Sequence, residues 1–418
     1  MWFTRGVSVD RLNGGPLDGV RVLELGNYIA APTGSRLLAD FGAEVIKIER
    51  PGTGDELRTW RLYSGTTSML FHTINRNKKS VVLDLKTEEG QAAVRELARS
   101  CDIVMENFRP GTLERWGIGP AELSAANPDL IIVRVSAYGQ TGPRAHEPGF
   151  AAVAEAIAGL RGVTGEPDRP PSRVGVSIGD SIAGIYAALG ALLALHQRQK
   201  DRAAGRSTSL PERTVDVALT EAIFSVMESL VPEYDAYQVT RTRTGGRMEG
   251  IAPSNAYLCA DGRWVVIAGN GDAIYRRFMG VIGRPDLADD PRLANNTQRW
   301  GARDELDDAI SAWTATVPSG EALAALAAAS VPAGPINTAA DIKTDEQFLA
   351  RGMIQRLPVS TGTEILPDVA FPGIVPRIGD VARAIGSLGP DLGAHTEEVL
   401  GPLARRESDT HGVKELIG

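Results

Sequence analysis

Residues 20–55, "VRVLELGNYIAAPTGSRLLADFGAEVIKIERPGTGD", decide the fold of this chain. An apolar run over 20–25 leads into a glycine turn, an amphipathic stretch with Leu38 and Phe41 follows, and a second apolar run covers 45–48. Short apolar runs bounded by turn residues favour buried strands, whereas apolar residues three to four positions apart favour a helix. The stretch therefore predicts a βαβ unit.

The same alternation continues along the first third of the chain. Apolar "SVVLDL" (80–85) precedes the helical pattern "TEEGQAAVRELARS" (87–100), which is followed by "DIVMENF" (102–108) and then "ELSAANPDLIIVRVSAYG" (122–139). Strands that alternate with helices predict a parallel sheet covered by helices on both faces. The fold class is therefore α/β.

Changes in pattern suggest three parts. We predict a large Rossmann-like domain over 16–225, a smaller α/β domain over 226–340 and a segment 341–418 that returns to the large domain. The smaller domain contains "AYLCADGRWVVIAGN", a hairpin pattern with an Asp-Gly turn. The residues before Pro16 contain no apolar core of signal-peptide length, so they are interpreted as an extension.

Composition narrows the functional classes. The 418 residues carry a formal net charge of -8, which argues against a nucleic-acid binder. Cys101 and Cys259 match no disulfide or metal-ligand spacing, so we expect no metal and a reducing, cytoplasmic location. The apolar run 182–195 is shorter than the ~20 residues that span a bilayer, so we expect a buried helix and no membrane partner.

The first functional hypothesis is a dinucleotide-dependent oxidoreductase. The turn after Gly26 reads "NYIAAPTG", with side chains where a pyrophosphate-binding turn needs glycines. Glu49 ends the second strand, as an acid that binds ribose would, but Arg50 follows it directly. The pattern disfavours this class.

The second hypothesis is carboxylate catalysis by Asp180. We interpret Asp180 as the N-cap of a helix over 181–199, where the helix dipole favours the ionised form. N-capping alone is an ordinary structural role. Gly179 and Gly184 are expected to leave the carboxylate unshielded and its first turn approachable, which suits a nucleophile.

Several blocks of the sequence together resemble one family, the family III coenzyme A transferases, which include formyl-CoA and carnitine CoA transferases and α-methylacyl-CoA racemases. These blocks are "PLDGVRVLELGNYIAAPTGSRLLADFGAEVIKIERPGTGDELR" (16–58), "NRNKKSVVLDLKTEEG" (75–90), "VMENFRPGTLERWGI" (104–118), "VRVSAYGQTGP" (133–143), "IGDSIAGIYAALGALLAL" (178–195) and "LGAHTEEVL" (392–400). Their order makes the resemblance specific.

The resemblance implies a mechanism and a set of contacts. Asp180 would attack an acyl-CoA thioester and pass through mixed anhydrides and an aspartyl-CoA thioester, with coenzyme A as substrate and no permanently bound cofactor. The resemblance also implies interlocked homodimers. By similarity the expected acyl-CoA contacts are Tyr28, Arg50, Leu83, Lys86, Asn107, Phe108, Arg115 and Tyr138, and the expected substrate or lid residues are Gly245, Gly246 and Arg247. The further basic residues Arg76, Lys78 and Lys79 are expected to be solvated.

Two alternatives remain beside a transferase. A racemase needs a histidine and an acid where this chain has Phe150 and Ala151, which disfavours proton transfer at the α-carbon. His146 lies upstream and is interpreted as a surface loop residue. A CoA-binding protein without catalysis is the second alternative, and the retained Asp180 argues against it.

The substrate prediction depends on two features. Formyl-CoA transferases carry a glutamine where this chain has Ile29, so formate and oxalate are disfavoured. Arg241, Arg243 and Arg247 lie near the glycine pair, and a dicarboxylate would use one guanidinium for its far carboxylate. We expect succinyl-CoA as donor and a small, dicarboxylic or hydroxy acid as acceptor.

Overall fold

The computed structural model describes residues 15–64, 67–360, 364–380 and 382–403, so the predicted N-terminal extension lies almost wholly outside the described residues. The chain forms two compact units. The first unit consists of Met1–Ala158, Gly175–Met227 and Glu346–Gly418, and the second of Gly159–Val174 and Glu228–Asp345. The sequence placed 159–174 in the large domain; the structure groups it with the second unit, where Gly165 accepts a backbone hydrogen bond from Gly245 at 3.0 Å.

The described part of the chain has the following elements. Its strands are β1 (Arg21–Glu24), β2 (Glu44–Glu49), β3 (Tyr63–Ser64), β4 (Thr67–Ser68), β5 (Lys78–Val82), β6 (Ile103–Glu106), β7 (Ile131–Ser136), β8 (Thr214–Ala218), β9 (Ser254–Leu258), β10 (Trp264–Ala268), β11 (Ala333–Pro335), β12 (Ile354–Ser360) and β13 (Ile365–Pro372). Its α-helices are α1 (Ala30–Asp40), α2 (Met69–Ile74), α3 (Glu88–Ala98), α4 (Thr112–Arg115), α5 (Pro120–Ala126), α6 (Ala151–Ile157), α7 (Ile178–Ala203), α8 (Leu219–Phe224), α9 (Leu230–Tyr237), α10 (Asp272–Val281), α11 (Pro285–Ala288), α12 (Asn296–Gly301), α13 (Arg303–Thr314), α14 (Ser319–Ala328), α15 (Ala339–Ile342) and α16 (Glu346–Ala350). Short 3-10 helices cover Glu56–Thr59, Leu160–Gly162, Pro211–Arg213 and Pro291–Leu293.

The first unit is built on a parallel sheet, which confirms the prediction. Its six strands lie in the order β5-β2-β1-β6-β7-β8, and each neighbouring pair is parallel. The chain runs from β1 outward to β2 and β5 on one side, and then to β6, β7 and β8 on the other. Such a reversal opens a crevice at the carboxyl ends of β1 and β6, where open α/β sheets bind ligands.

The two faces of this sheet differ in chemistry. Leu23, Ile46 and Val104 pack in an apolar cluster with residues of α3 and α5. Because side chains alternate along a strand, their neighbours Glu24 and Lys47 point to the opposite face. That face carries buried charges.

Helix α7 begins earlier than predicted. Its N-cap is Ser177, and Asp180 lies in the first turn, so the interpretation of Asp180 as the N-cap is wrong. The Ser181 N–H already donates to the Ser177 carbonyl at 3.0 Å, which shows that the chain is helical before Asp180. A carboxylate in the first turn still benefits from the helix dipole.

The glycines of α7 serve helix packing. A Cβ at Gly184 would lie 2.7 Å from the Thr33 Cβ and 2.8 Å from the Ala30 carbonyl oxygen, and one at Gly179 would lie 2.8 Å from the Ile223 Cδ1. Gly184 thus lets α1 approach α7 closely, and Gly179 lets the Ile223 side chain do so.

One face of α7 is open to solvent in the single chain. Ile185, Leu189 and Leu193 are 55%, 46% and 61% exposed, and their spacing places them on one stripe. Among the described residues, α7 is the helix whose length and apolar character would suffice for a membrane span, a test that core helices of water-soluble proteins also pass. The structure thus leaves an apolar stripe where the sequence predicted burial.

Two basic residues that we expected to be solvated are buried. The Arg76 guanidinium pairs with Asp40 at 2.7 Å, and the Lys78 ammonium pairs with Glu24 at 2.7 Å. Lys79, about 30% exposed, pairs with Glu44 at 2.6 Å. The expectation was wrong because the acids come from other strands and helices.

The second unit contains an antiparallel sheet in the order β11-β10-β9. β9 and β10 form the predicted hairpin, with Gly262 at φ +76° in its turn. Its core includes Tyr257, Phe278 and Leu306, which come from the sheet and two helices.

Candidate functional site

Asp180 is half-buried in the first turn of α7. The first four N–H groups of a helix have no partner within the helix, and its dipole is positive at this end. Both effects stabilise the ionised form of the Asp180 carboxyl group. The arrangement suits a carboxylate that acts as nucleophile and leaving group in turn.

The Asn107 side chain, at the end of β6, binds the backbone of the turn that follows β1. The Asn27 N–H donates to the Asn107 Oδ1 at 2.8 Å, and the Asn107 Nδ2 donates to the Asn27 carbonyl at 2.7 Å. These bonds span the crevice between the two strands. The predicted contact residue Asn107 therefore shapes the crevice through the backbone of its neighbour.

A cavity of about 120 Å³ opens at the carboxyl edge of the sheet. Four predicted contact residues from three different strand ends line it together: Arg50, Leu83, Lys86 and Phe108. The Phe108 ring meets the Trp116 ring edge-on, with centroids 5.2 Å apart. Apolar and aromatic walls with cations at the rim suit an adenosine phosphate.

The two cations at this cavity differ in the interactions that they already make. Arg50 is about half exposed and pairs with Glu56 at 2.6 Å. The Lys86 side chain is exposed, and its backbone N–H donates to the Asp84 carboxylate at 3.0 Å. Lys86 is thus the cation that can turn toward a phosphate at the lowest cost.

A buried carboxylate supports the wall that carries Phe108. Glu106 accepts the Phe108 N–H at 2.7 Å and the Arg134 Nε at 2.7 Å. Burial raises the pKa of Glu106 to about 7, against the opposing effect of Arg134. Glu106 therefore links the backbone of the loop that bears Phe108 to the Arg134 side chain.

Four of the predicted contacts do not line this cavity: Tyr28, Asn107, Arg115 and Tyr138. Arg115 is exposed and donates to the Thr112 hydroxyl at 3.0 Å. Tyr138 stacks under the Arg144 guanidinium at 4.3 Å from its ring centroid and accepts a hydrogen bond from it. Neither of these two side chains is among those that line the cavity with Leu83.

Tyr28 lies in a group of aromatic side chains. Its ring centroid is 5.4 Å from that of Trp60 and 6.0 Å from that of Phe150. Phe150 caps α6 and is 67% exposed, so the position where a racemase needs a histidine carries an untitratable ring. Burial raises the pKa of the Tyr28 phenol, which stays protonated.

The predicted lid residues line a cavity of about 630 Å³ inside the second unit. A Cβ at Gly245 would lie 2.6 Å from a Glu166 carboxylate oxygen, and one at Gly246 would lie 2.5 Å from the Asn255 Oδ1. Gly245 also has φ +69°, which disfavours any side chain. The glycines are required by this close packing.

The arginines of this region have local partners. Arg247 pairs with Asp304 and Asp307, each at 2.7 Å, and Arg243 donates to backbone carbonyls that include that of Glu166. Arg241 pairs with Glu233 and does not line the cavity.

Two aromatic rings and a cation in the same cavity were not predicted from the sequence. Trp264, Trp300 and Arg303 line it, and the Arg303 guanidinium lies over the Trp300 ring at 4.8 Å. Arg303 directly precedes the acids of α13, so in the sequence it looks like part of a solvated helix start. No pattern in the sequence could have found it.

In the part of the chain that the structure describes, no three His, Cys, Asp or Glu side chains come close enough to hold a metal ion. The free thiols of Cys101 and Cys259 are both buried.

Similarity to known proteins shows the family of this chain. Residues 17–396 match the family described as CoA-transferase family III. The chain is 46% identical over 386 residues to the succinyl-CoA:D-citramalate CoA-transferase of Chloroflexus aurantiacus, covering 92% of this chain and 93% of that protein. It is 36% identical to the succinyl-CoA:L-malate CoA-transferase alpha subunit of Chloroflexus aurantiacus, covering 92% of this chain and 88% of that protein. A crystal structure of a CAIB/BAIF family protein from Brucella suis has a TM-score of 0.80 and 33% identity, covering 94% of this chain and 100% of that one. The chain belongs to CoA-transferase family III and is an enzyme of the CoA-transferase type.

Proposed function

We propose that this enzyme transfers coenzyme A from succinyl-CoA to a small dicarboxylic or hydroxy acid, with Asp180 as the covalent carrier. The observation that carries the proposal is the position of Asp180 in the first turn of the long helix α7. The names of the relatives in Chloroflexus aurantiacus support the substrate class, since both act with succinyl-CoA on a four- or five-carbon hydroxy diacid.

The proposed steps balance without a proton donor. The Asp180 carboxylate attacks the thioester carbonyl, the carbon–sulfur bond breaks, and a mixed anhydride and CoA thiolate form. The thiolate then attacks the aspartyl carbonyl and releases succinate. The acceptor carboxylate repeats these two exchanges in reverse order, which restores Asp180. Each step exchanges one carboxylate or thiolate for another, so one difficult transfer becomes several easier ones.

Isotope exchange tests this proposal without knowledge of the acceptor. The enzyme should move labelled succinate into succinyl-CoA, and Asp180→Asn should abolish the exchange. Glu88→Gln, which changes an exposed acid in the first turn of α3, is the matched control and should retain the parent rate. Borohydride reduction and peptide mapping should find an adduct at Asp180. Parent-like exchange by Asp180→Asn would exclude the covalent role, and an enzyme that binds succinyl-CoA without adduct or exchange would be a CoA-binding protein only.

The proposed CoA subsite is the cavity at the edge of the parallel sheet. Leu83 and Phe108 provide its apolar wall, and Arg50 and Lys86 its positive rim. In this proposal the adenine lies between apolar side chains and the phosphates of the adenosine lie beside the cations. Coenzyme A is the substrate here, and we propose no permanently bound cofactor.

Within the second unit, we propose that Arg303 binds a carboxylate of the acceptor acid. Arg247 is neutralised by Asp304 and Asp307, whereas Arg303 contacts the carbonyl of Trp300 at 3.0 Å and the ring of the same residue. A stacked guanidinium keeps its outer N–H groups for a carboxylate, which it binds in bidentate fashion.

Steady-state kinetics with a panel of four- to six-carbon diacids tests this assignment. Arg303→Met should raise the KM of every diacid by about tenfold. Arg284→Met, which removes an exposed guanidinium paired with Asp286, is the control. Equal acceptor KM values in Arg303→Met and parent would refute the assignment.

We further propose that the enzyme works in the cytoplasm as an interlocked homodimer. The exposed stripe at Ile185, Leu189 and Leu193 supports this, because apolar stripes of this kind favour contact with a second protein surface. The two buried thiols suit a reducing compartment.

The racemase alternative has its own test. Solvent deuterium should not enter the α-position of a 2-methylacyl-CoA incubated with the enzyme, because Phe150 supplies no proton acceptor. Incorporation at a rate comparable to CoA exchange would favour an epimerase.

A further inference from the structure

The turn between β1 and α1 holds a strained residue. Tyr28 has φ +62°, in the left-handed region. A bulky residue rarely adopts this conformation, since its Cβ crowds the following carbonyl and an aromatic side chain offers no local hydrogen bond in return. Strained residues of this kind persist only when the surrounding structure imposes them.

Side chains from other segments bind every residue of this turn. Lys47 donates to the Gly26 carbonyl at 2.8 Å, and Asp55 accepts the Tyr28 N–H at 3.1 Å. The intervening Asn27 is bound at both its N–H and its carbonyl by the Asn107 amide. Side chains from three separate parts of the chain therefore hydrogen-bond to the backbone of residues 26–28.

Lys47 and Asp55 form one ionic unit. The Lys47 ammonium lies 2.8 Å from Asp55 and 2.7 Å from Glu24, and all three side chains are at most 1% exposed. Burial alone would lower the pKa of Lys47, but the Asp55 and Glu24 carboxylates keep it above its ordinary value. The Lys47 ammonium therefore stays charged and keeps a defined geometry between the two carboxylates.

The consequence is a fixed direction for the Tyr28 ring. The left-handed backbone brings this ring against Trp60 and Phe150, at the crevice edge of the sheet. An ordinary backbone conformation at residue 28 would send the ring elsewhere.

We propose that Lys47 and Asp55 are positioning residues for CoA transfer: they impose the strained backbone of Tyr28, and the Tyr28 ring then orients the acyl-CoA thioester. This inference rests on the proposed function, because it takes Tyr28 to meet the thioester end. Neither Lys47 nor Asp55 touches the substrate.

The first test changes the charge that faces Lys47. Asp55→Asn retains an oxygen acceptor for the Tyr28 N–H but removes the ionic partner of Lys47. In succinate exchange, kcat should fall about tenfold while the KM of succinyl-CoA stays within about twofold, since orientation is lost and binding is kept. Parent-like kcat in Asp55→Asn would overturn the proposal.

A double-mutant cycle separates positioning from general structural support. Tyr28→Gly relieves the strain and removes the ring, so kcat should fall while the thermal midpoint stays equal or rises. In that background Asp55→Asn should produce no further loss in kcat, because both changes act through the same ring. Additive losses would contradict the proposal, as would parent kcat in Tyr28→Gly.

The control and the fallback use another left-handed residue. Arg61 is exposed with φ +58°, and Arg61→Gly should relieve strain without changing kcat. If Asp55→Asn does not fold, the contrast between Tyr28→Gly and Arg61→Gly decides: equal kcat in both refutes the proposal. Adduct mapping on the parent enzyme keeps the two hypotheses apart, since a missing adduct at Asp180 refutes the proposed function, whereas an adduct with parent-like Asp55→Asn refutes only the positioning role.

Discussion

Replacement of Gly184 by alanine tests whether the close contact between α1 and α7 is required. The added methyl group would lie 2.7 Å from the Thr33 Cβ and 2.8 Å from the Ala30 carbonyl oxygen, and the carbonyl cannot rotate away as a side chain could. Overpacking costs about 1–3 kcal/mol, and this contact lies in the upper part of that range, at about 2–3 kcal/mol, because one of the two close atoms belongs to the backbone. Alanine offsets part of this cost, because it is favoured over glycine in a helix by about 0.8–1.0 kcal/mol.

The difference predicts a loss of about 1–2 kcal/mol in the free energy of unfolding for Gly184→Ala. Differential scanning fluorimetry should show a lower midpoint, by about 2–4 °C per kcal/mol for a unit of this size. Succinate exchange should also slow, because Gly184 lies one turn after Asp180 and α1 begins directly after the Tyr28 turn.

Gly280→Ala is the matched control. Gly280 lies in α10, and a Cβ added there would meet no atom of the described residues within 4 Å, so the same change should stabilise the protein by about 0.5–1 kcal/mol. A Gly184→Ala protein as stable as its parent, together with the expected gain in Gly280→Ala, would show that α1 and α7 are not packed as tightly as these distances require.

Other parts of the structure give three further predictions. Burial lowers the pKa of His72, so the unfolded chain takes up this proton first; stability should be fully present above pH ~6.5 and fall as the pH drops below it, and His72→Gln should flatten the dependence measured by thermal midpoints. Lys86→Gln should raise the KM of succinyl-CoA by about tenfold, through the loss of a charge-assisted phosphate contact, while Lys343→Gln should not; an equal effect with 3′-dephospho-succinyl-CoA would argue against a contact to the 3′-phosphate. Leu193→Glu should convert a dimer to single chains in light scattering, because it places a charge on the exposed stripe of α7, and an unchanged mass would exclude this stripe from the interface.

Local patterns predicted the local elements well. The βαβ unit around Leu38 and the hairpin at Gly262 follow from periodicity and turn chemistry, which act over a few residues. The start of α7 was predicted three residues too late, with Asp180 as its N-cap. Ile178 and Gly179 carry no helix-start signal, and the true N-cap, Ser177, makes no side-chain capping bond.

Contacts between distant parts of the chain could not be predicted. Lys78 looks like one of a row of solvated cations until Glu24, which lies on another strand, is seen 2.7 Å away. Arg303 reaches its cavity only because the fold brings Trp300 and the glycine loop together. For the candidate site, the resemblance selected residues such as Leu83 and Lys86 that do line one cavity, but others, such as Arg115 and Tyr138, do not line it.

The first unit is assembled from three separated lengths of chain, and this has a consequence for synthesis on the ribosome. The His72 ring bonds to the Gly389 carbonyl at 2.9 Å, and the Ser80 N–H donates to the His395 Nδ1 at 3.2 Å. The parallel sheet therefore lacks these two hydrogen bonds until residue 395 has left the ribosomal exit tunnel. The second unit is complete by Asp345, so during translation the later-encoded unit should mature first and the amino-terminal one should wait in an open state that chaperones can engage.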